Sequence, residues 1–272
     1  MNRTECTSET VDRARATALT VAQVIGDLIH DTVVVGGLVP TLRYPDAFDA
    51  LLGPHVGTHD FDLALDLAIF NEERYAEIDK RLRDAGFAPD KKETTGALVR
   101  QRWSYRESAA TVEFIMPPVG DHEMGLQSLT KELGALRMIG IDLALDDRTF
   151  FTLAGRDLRG YTVERSIPVC GDAPFVVLKG LALGGRDKAK DAYDLCFVLR
   201  QAPEGPEGIA ERLFPHSGHP AVERARRYLD RDFRAIDGRG PRFVCEFQGD
   251  PGNDDLAADA LAYVRALLDS FR

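Results

Sequence analysis

The chain has 272 residues, 44% of them hydrophobic, which is enough to bury the core of one large or two small domains. Its 34 Lys and Arg residues stand against 44 Asp and Glu residues, and the resulting net charge of −10 argues against bulk DNA binding through phosphate neutralisation, although it leaves room for a local basic groove. The four cysteines form no CxxC pair, the N-terminus is polar, and no apolar run approaches the roughly 18 residues of a membrane span. We therefore expect a cytoplasmic protein without a membrane partner.

Residue spacing predicts the secondary structure of the first part of the chain. Apolar residues recur at helical spacing from Ser8 to His30, and the β-branched run Thr32–Val35 predicts a buried strand that turns at Gly36-Gly37. Further along, the pattern predicts a short helix at 38–43, a loop at 44–58, a strand at 59–67, a helix at 71–85 capped by Asn71, and strands at 98–105 and 111–116.

The pattern changes from strand to helix near Pro174. Two or three short strands are expected between Arg137 and Val169. Beyond them, helices are predicted at 175–183 and 187–199, then a Pro/Gly-rich linker at 200–208 and a last helix that starts after Asn253. The sequence thus predicts an α+β fold. Residues 1–170 would form a core with a mixed β-sheet flanked by helices, and residues 171–272 a mainly helical region.

Three acids downstream of the glycine pair have the clearest chemical pattern. Asp60 and Asp62 project from the same face of their strand because side chains alternate, so their like charges lie close together. A divalent cation such as Mg²⁺ removes that repulsion, and Glu113, an acid within an otherwise apolar strand, would complete the site. Gly36 and Gly37 offer backbone N–H groups that a phosphate can approach closely.

Each of these features also has a simpler explanation. Asp60 and Asp62 would then belong to a solvated strand face, and Glu113 would pair with an arginine of the neighbouring strand. The candidate partners are Arg100, Arg102 and Arg106. The order of the features, a glycine pair, then Asp-x-Asp, then a strand acid, favours the metal site.

The strand at 98–105 is both basic and aromatic. Trp103 and Tyr105 alternate with its arginines, and Lys91 and Lys92 precede it. Such a strand is a candidate surface for RNA, because bases stack on aromatic rings and phosphates pair with basic side chains. A solvent-facing side of the sheet is the alternative.

The order of the motifs resembles that of the nucleotidyltransferase superfamily of the DNA polymerase β type. Its members carry GG or GS after a strand, Dx[DE] on a following strand and a third acid on a later one. The resemblance covers roughly residues 31–117. It implies that Gly36 and Gly37 face a triphosphate. It also implies two Mg²⁺ ions that clamp the nucleoside triphosphate for in-line transfer, held by Asp60, Asp62 and Glu113.

A second segment is similar to the AbiEii/MenT branch, the toxin-type nucleotidyltransferases. That branch has a helix lysine, a basic turn and then K/R-D-x-x-D-L on the next helix. Here the lysine is Lys179, and the second motif is Lys190, Asp191 and Asp194. By resemblance, these residues bind the nucleotide, so that residues 171–272 complete its pocket. The alternative is a solvated helix with ion pairs between Asp187 and Lys190 or between Asp191 and Lys188.

The resemblance implies an enzyme that transfers a nucleoside monophosphate from an NTP to an acceptor hydroxyl and releases pyrophosphate. Asp60 and Asp62 would bind both metals, and Glu113 would hold the catalytic one and help to activate the acceptor. Lys179 would neutralise the triphosphate. In the toxin branch the acceptor would be RNA, such as a tRNA 3′ end, and a separate antitoxin would exist.

Two other functions stay open. A small-molecule acceptor of the antibiotic type is favoured by the acidic net charge, because cationic small molecules prefer acidic clefts. A non-catalytic nucleotide-binding relative is favoured by Leu38, because many members carry Ser or Thr directly after the glycine pair.

Overall fold

Two compact units make up the described part of the chain. The computed structural model describes residues 8–58, 60–66 and 71–271. One unit, here the sheet unit, takes its residues from 8–42 and 58–170. The other, here the helical unit, takes them from 43–57 and 171–271. The segment 43–57 therefore interrupts the sheet unit in sequence but belongs to the helical unit in space.

Up to residue 170 the described elements are a mixture of helices and runs of consecutive strands, and thereafter they are helices. The first part contains α1 (Ser8–Ile25), β1 (Thr32–Val35), α2 (Val39–Arg43), β2 (Phe48–Asp49), β3 (Gly53–Pro54), β4 (Asp60–Leu65), α3 (Glu72–Asp84), β5 (Phe87–Lys91), β6 (Leu98–Tyr105), β7 (Thr111–Met116), β8 (Gly125–Ser128), β9 (Gly134–Arg137), α4 (Ile141–Asp146), β10 (Arg148–Arg156) and β11 (Thr162–Cys170). The second part contains α5 (Asp172–Gly185), α6 (Ala189–Gln201), α7 (Gly205–Leu213), α8 (Pro220–Asp232), α9 (Arg239–Gln248) and α10 (Asp254–Asp269).

One mixed sheet organises the sheet unit. Its strands follow the order β10-β11-β1-β4-β7-β6-β5, and β9 pairs with both β7 and β8. β1 lies parallel to β11 and antiparallel to β4, whereas β4 lies parallel to β7. α1 packs against β10 and β11. All four residues of β1 are buried, as expected for a β-branched run in the middle of a sheet. The α+β fold with a mixed sheet and a helical C-terminal half is thus confirmed.

Most predicted elements are found close to their expected bounds. The strands at 98–105 and 111–116 are confirmed, and Asn71 caps α3 by accepting a hydrogen bond from the Arg74 backbone N–H at 2.9 Å. His59 and Leu67, the ends of the predicted strand at 59–67, lie outside the described residues. Between them, β4 spans Asp60–Leu65.

Two stretches differ from the prediction. The region between Arg137 and Val169 was expected to hold short strands, but it forms α4 and then a hairpin of two nine-residue strands, β10 and β11. Leu153 is the buried residue of β10, so this strand lacks the apolar alternation that usually identifies strands. The linker predicted at 200–208 is also shorter, because α6 continues to Gln201 and α7 begins at Gly205.

Segment 43–57 is anchored to the helices of the helical unit by polar contacts. Asp49 Oδ1 accepts hydrogen bonds from the backbone N–H groups of Leu51 and Leu52, both at 2.8 Å. Asp49 Oδ2 pairs with Arg200 Nε of α6 at 2.5 Å, and Gln248 Nε2 of α9 donates to the Leu52 carbonyl at 2.9 Å. These contacts hold the segment in one place although its sequence predicts a loop.

The length and composition of the helices bear on membrane insertion. Across the three described ranges, no helix combines the length and the apolar character that crossing a bilayer requires.

Candidate functional site

Neighbouring strands bring the glycine turn and the predicted acids to one face of the sheet. Val35, the last residue of β1, pairs with Asp62 of β4, and Asp62 pairs with Glu113 of β7. Paired residues on adjacent strands point to the same face, and Asp60 shares that face because it lies two residues from Asp62. We call Asp60, Asp62 and Glu113 the acidic sheet face; all three belong to the sheet unit.

Gly36 follows β1 directly and approaches the acidic sheet face. Its φ angle is +74°, a left-handed backbone conformation that favours glycine. A Cβ atom added to it would lie 1.9 Å from Asp62 Oδ2. Both the turn and the nearby carboxylate therefore require glycine at this position.

The three acids differ in exposure and do not converge on one point. Asp60 is exposed and accepts a hydrogen bond from Thr111 Oγ1 at 3.0 Å, whereas Asp62 and Glu113 are half-buried. Within residues 8–58, 60–66 and 71–271, no three His, Cys, Asp or Glu side chains are gathered closely enough to hold a metal ion. The strand register thus brings the acids onto one face without closing a metal cage around a single position.

Arg102 of β6 extends the charged row across the same face. It pairs in register with Glu113, and its Nε donates to Asp90 Oδ2 at 2.5 Å. This hydrogen bond raises the pKa of Arg102, and the negative charges of Glu113 and Asp60 add to the effect. Among the three arginines considered as partners of Glu113, Arg102 is the one placed opposite it, although its ion pair is with Asp90.

The aromatic residues of β6 face away from the acids. Trp103 follows Arg102 in an alternating strand and is fully buried, and Tyr105 is only 6% exposed. The prediction that these two rings lie on an RNA-binding surface is therefore wrong, because they belong to the core. Arg100 remains on the face of Arg102, where it donates to Ser128 Oγ at 2.8 Å.

The second predicted motif forms a buried network of charges in the helical unit. Lys179 Nζ of α5 donates to Asp191 Oδ1 at 2.9 Å and to Asp194 Oδ2 at 2.7 Å. Lys190 Nζ donates to Asp194 Oδ1 at 2.6 Å. None of these four residues is more than 7% exposed. The network has two further members, and we call the whole set the buried charge cluster: His55, Lys179, Arg186, Lys190, Asp191 and Asp194.

Arg186 and His55 extend the cluster in two directions. Arg186, in the turn between α5 and α6, has a side chain that is itself 54% exposed, and it binds the buried Asp191 with two hydrogen bonds of 2.7 and 3.0 Å. His55, from segment 43–57, places Nε2 3.0 Å from Asp194 Oδ1. His55 is not among the residues predicted from the sequence, because nothing in its local sequence indicates a partner 139 residues away.

Burial and pairing act in opposite directions on the pKa values of the cluster. Burial alone would lower the pKa of Lys179, but the charges of Asp191 and Asp194 raise it above its usual value. Burial alone would raise the pKa of Asp194, but Lys179, Lys190 and the hydrogen bond to His55 lower it. For His55, burial prevails over Asp194 and lowers the pKa to about 4. At pH 7, Lys179 and Asp194 are therefore charged and His55 is neutral.

The alternative of a solvated helix with surface ion pairs is wrong. α6 is buried at every residue from Lys190 to Leu199. Lys190 pairs with Asp194 rather than with Asp187, and Asp187 pairs with Arg239 at 2.6 Å. Charges in a buried helix are costly unless each is paired, so this motif is held by internal ion pairs.

Comparison with known proteins does not indicate a function for this chain. No protein-family model matches the chain, and no curated protein matches it either. A function for this protein therefore has to be inferred from the acidic sheet face and the buried charge cluster.

Proposed function

We propose that the protein is a Mg²⁺-dependent nucleotidyltransferase, which moves a nucleoside monophosphate from an NTP to an acceptor hydroxyl and releases pyrophosphate. The observation that carries this proposal is the register of β1, β4 and β7, which places the turn at Gly36 beside Asp62 and Glu113. The register groups the acidic side chains of adjacent strands beside this glycine turn, an arrangement that suits a cation-binding face.

The carboxylate chemistry of the acidic sheet face suits Mg²⁺, although its three side chains are not gathered around one point and would have to turn toward a common position to hold the ion. Asp60, Asp62 and Glu113 would hold it, because hard carboxylate oxygens are its preferred protein ligands. Gly36 has no Cβ to cover Asp62 Oδ2, and Asp60 is exposed to incoming ligands. When bound, the metal would neutralise charge on the phosphoryl oxygens and polarise the phosphorus under attack.

The chain's own residues would bind and orient the reactants. Gly36 and Gly37 offer backbone N–H groups to phosphate oxygens. Glu113, which accepts hydrogen bonds when ionised, would take the proton of the acceptor hydroxyl.

The buried charge cluster supports binding of an anion. Its cations Lys179, Lys190 and Arg186 are held beside Asp191 and Asp194, and His55 is neutral. Asp191 and Asp194 use two of the three N–H donors of Lys179, and no other residue in the described ranges accepts from it. The third donor is thus left for a ligand such as a phosphate oxygen.

RNA is the acceptor class that this proposal favours. Arg100 and Arg102 lie on the same sheet face as Glu113 and would contact phosphates of the acceptor. As in the toxin branch that the sequence resembles, a separate antitoxin would then accompany the protein. A small hydroxylated molecule is the second acceptor class, and experiment decides between the two.

Label transfer tests the proposal directly. Purified protein is incubated with Mg²⁺, total RNA and each α-labelled NTP in turn. The wild type should label RNA, whereas Asp60→Asn should lower the yield by about 100-fold or more because a metal ligand is lost. Asp60 is exposed, and Asn keeps the hydrogen bond to Thr111, so stability should be unchanged within about 0.5 kcal/mol. Asp121→Asn, at an exposed acid elsewhere in the sheet unit, is the matched control and should behave as wild type.

The other outcomes are equally informative. Label that appears only on small hydroxylated molecules would move the acceptor to the second class. Tight NTP binding without transfer to any acceptor would indicate the non-catalytic relative. Absence of NTP binding would refute the assignment of the acidic sheet face.

A further inference from the structure

His55 is the side chain by which segment 43–57 reaches the buried charge cluster. The backbone N–H of Gly57 donates to His55 Nδ1 at 3.1 Å, so Nδ1 carries no proton. Because the ring is neutral at pH 7, its one proton lies on Nε2, which donates to Asp194 Oδ1 at 3.0 Å. The Gly57 N–H of the same segment therefore determines the tautomer of His55, and the Nε2–H group of that tautomer points toward Asp194 of α6.

Aromatic packing holds the His55 ring in this orientation. The ring stacks on Tyr193 with centroids 5.6 Å apart and an interplanar angle of 17°. Phe197 covers it at 4.9 Å with a tilt of 59°, and the His55 side chain is 2% exposed. A ring packed in this way cannot turn its Nε2 away from Asp194 without displacing its neighbours.

With the hydrogen bond from His55, the two oxygens of the Asp194 carboxylate accept from different donors. Oδ1 accepts from His55 and from Lys190, whereas Oδ2 accepts from Lys179. With both oxygens occupied, each ammonium group is bound to its own oxygen. Without the His55 donor, Oδ1 would keep Lys190 alone, and rotation of the carboxylate would be less restricted.

We propose that His55 is a positioning residue. Its hydrogen bond holds the Asp194 carboxylate in one orientation, and the carboxylate in turn holds the ammonium groups of Lys179 and Lys190 apart, in the positions from which they bind NTP phosphates. The phosphate-binding part of this inference rests on the proposed function. The charged and polar groups that face His55 include Lys179 from α5, Lys190 and Asp194 from α6, and the Gly57 N–H from its own segment.

Two amide substitutions separate the role of the donor from that of packing. His55→Gln places an N–H donor near the position of Nε2, so it keeps the hydrogen bond to Asp194. His55→Asn carries the same amide at the position of Nδ1, so it keeps a partner for Gly57 but falls short of Asp194. His216→Gln, at an exposed histidine in the same unit, is the matched control.

Lysine ammonium signals test the positioning without any nucleotide. The chain has only seven lysines, so ¹⁵N-detected ammonium resonances can be assigned by single Lys→Arg changes. In wild type and His55→Gln, we expect slowly exchanging signals from Lys179 and Lys190. In His55→Asn, exchange of both should accelerate by about tenfold, as expected when one charge-assisted hydrogen bond at Asp194 is lost. Equal exchange rates in wild type and His55→Asn would overturn the positioning role.

Titration with ATP, GTP, CTP and UTP in the presence of Mg²⁺ tests the functional part. For the nucleotide that binds, His55→Gln and His216→Gln should stay within about threefold of wild type, and His55→Asn should bind about tenfold more weakly. Circular dichroism melting confirms that the compared variants are folded. Equal affinities of the two amide variants would overturn the role in phosphate binding. If wild type binds none of the four, the proposed function fails, whereas the ammonium signals still decide the position of the lysines.

Discussion

At the scale of single residues, two separate features of the structure require glycine at position 36. Its φ of +74° places it in the left-handed region, and a Cβ would lie 1.9 Å from Asp62 Oδ2. Gly96 has a similar φ of +67°, but nothing lies within 4 Å of its virtual Cβ. The two glycines therefore form a matched pair that separates backbone strain from the collision with Asp62.

We predict that Gly36→Ala lowers the free energy of unfolding by more than Gly96→Ala does. Gly96→Ala should cost about 1 kcal/mol, the usual penalty of the left-handed conformation. Gly36→Ala should cost about 3 kcal/mol or more, because Asp62 or the turn has to move as well. Urea denaturation followed by circular dichroism measures both values. Equal costs would mean that Asp62 yields freely and that the turn and the acid are not coupled.

The pH dependence of stability should report on His55. Its pKa is lowered from 6.5 to about 4 in the folded protein, so the unfolded chain binds more protons between these values. Stability is therefore complete above pH 6.5 and falls as the pH drops toward 4. The expected loss from this one group is about 3 kcal/mol.

Comparison with His55→Gln isolates this contribution, because glutamine does not titrate. We predict that the difference in free energy of unfolding between wild type and His55→Gln shifts by about 3 kcal/mol between pH 6.5 and pH 4, with wild type losing more. Urea denaturation at several pH values measures the shift. A constant difference across this range would contradict a buried neutral histidine.

At the scale of elements, α5 and α6 depend on the ion pairs between them. Lys179 of α5 is bound to two carboxylates of α6, and α6 is buried along most of its length. A buried ion pair adds little stability over an apolar pair of the same shape, but removing one partner leaves an uncompensated charge. The helix pair should therefore tolerate loss of a lysine poorly.

We predict that Lys179→Met lowers the free energy of unfolding by about 3 kcal/mol or more, because Asp191 and Asp194 lose their shared cation. Lys188→Met, nine residues further along at a half-buried position that starts α6, is the matched control and should change stability by less than about 1 kcal/mol. Chemical denaturation of both variants checks this. If the two variants were equally stable, the buried charges would have to be relieved in another way, such as protonation.

Sequence-based prediction worked best for elements whose signals are local. β6 and β7 have the predicted bounds, and Asn253 begins α10 by accepting a hydrogen bond from the Leu256 N–H at 2.8 Å. Periodicity and capping depend on neighbours within one turn of chain, so the sequence contains them. β10 was not predicted as a long strand, because it is held by backbone pairing with β11 rather than by an apolar face.

At the scale of the whole molecule, both units bury cysteines. Cys170 belongs to the sheet unit, whereas Cys196 and Cys245 belong to the helical unit, and all three are buried and free of disulfides. Burial raises the pKa of the Cys196 thiol, and the charge of Asp259 adds to this effect. A buried thiol with a raised pKa is inert, because the thiolate is the reactive form.

We predict that these three thiols report separately on the opening of the two units. In a Cys6→Ser variant, which leaves only them, a thiol reagent should react about 100-fold more slowly with the native protein than with the urea-unfolded chain. Mass spectrometry of peptides from partly labelled protein then shows which unit opens first. Rapid labelling of any of the three in native buffer would contradict the burial of that unit's core.

The sequence by itself determined the class of the fold, most helices and strands, and the face that Asp60 shares with Asp62, because each depends on residues a few positions apart. Only the tertiary structure decided that Glu113 lies beside Asp62, that the helix charges are buried, and that His55 joins them. Those facts depend on strand register and on contacts between distant parts of the chain, such as the 139 residues that separate His55 from Asp194. A local pattern cannot encode such a contact, since the free energy that maintains it comes from packing of the completed fold.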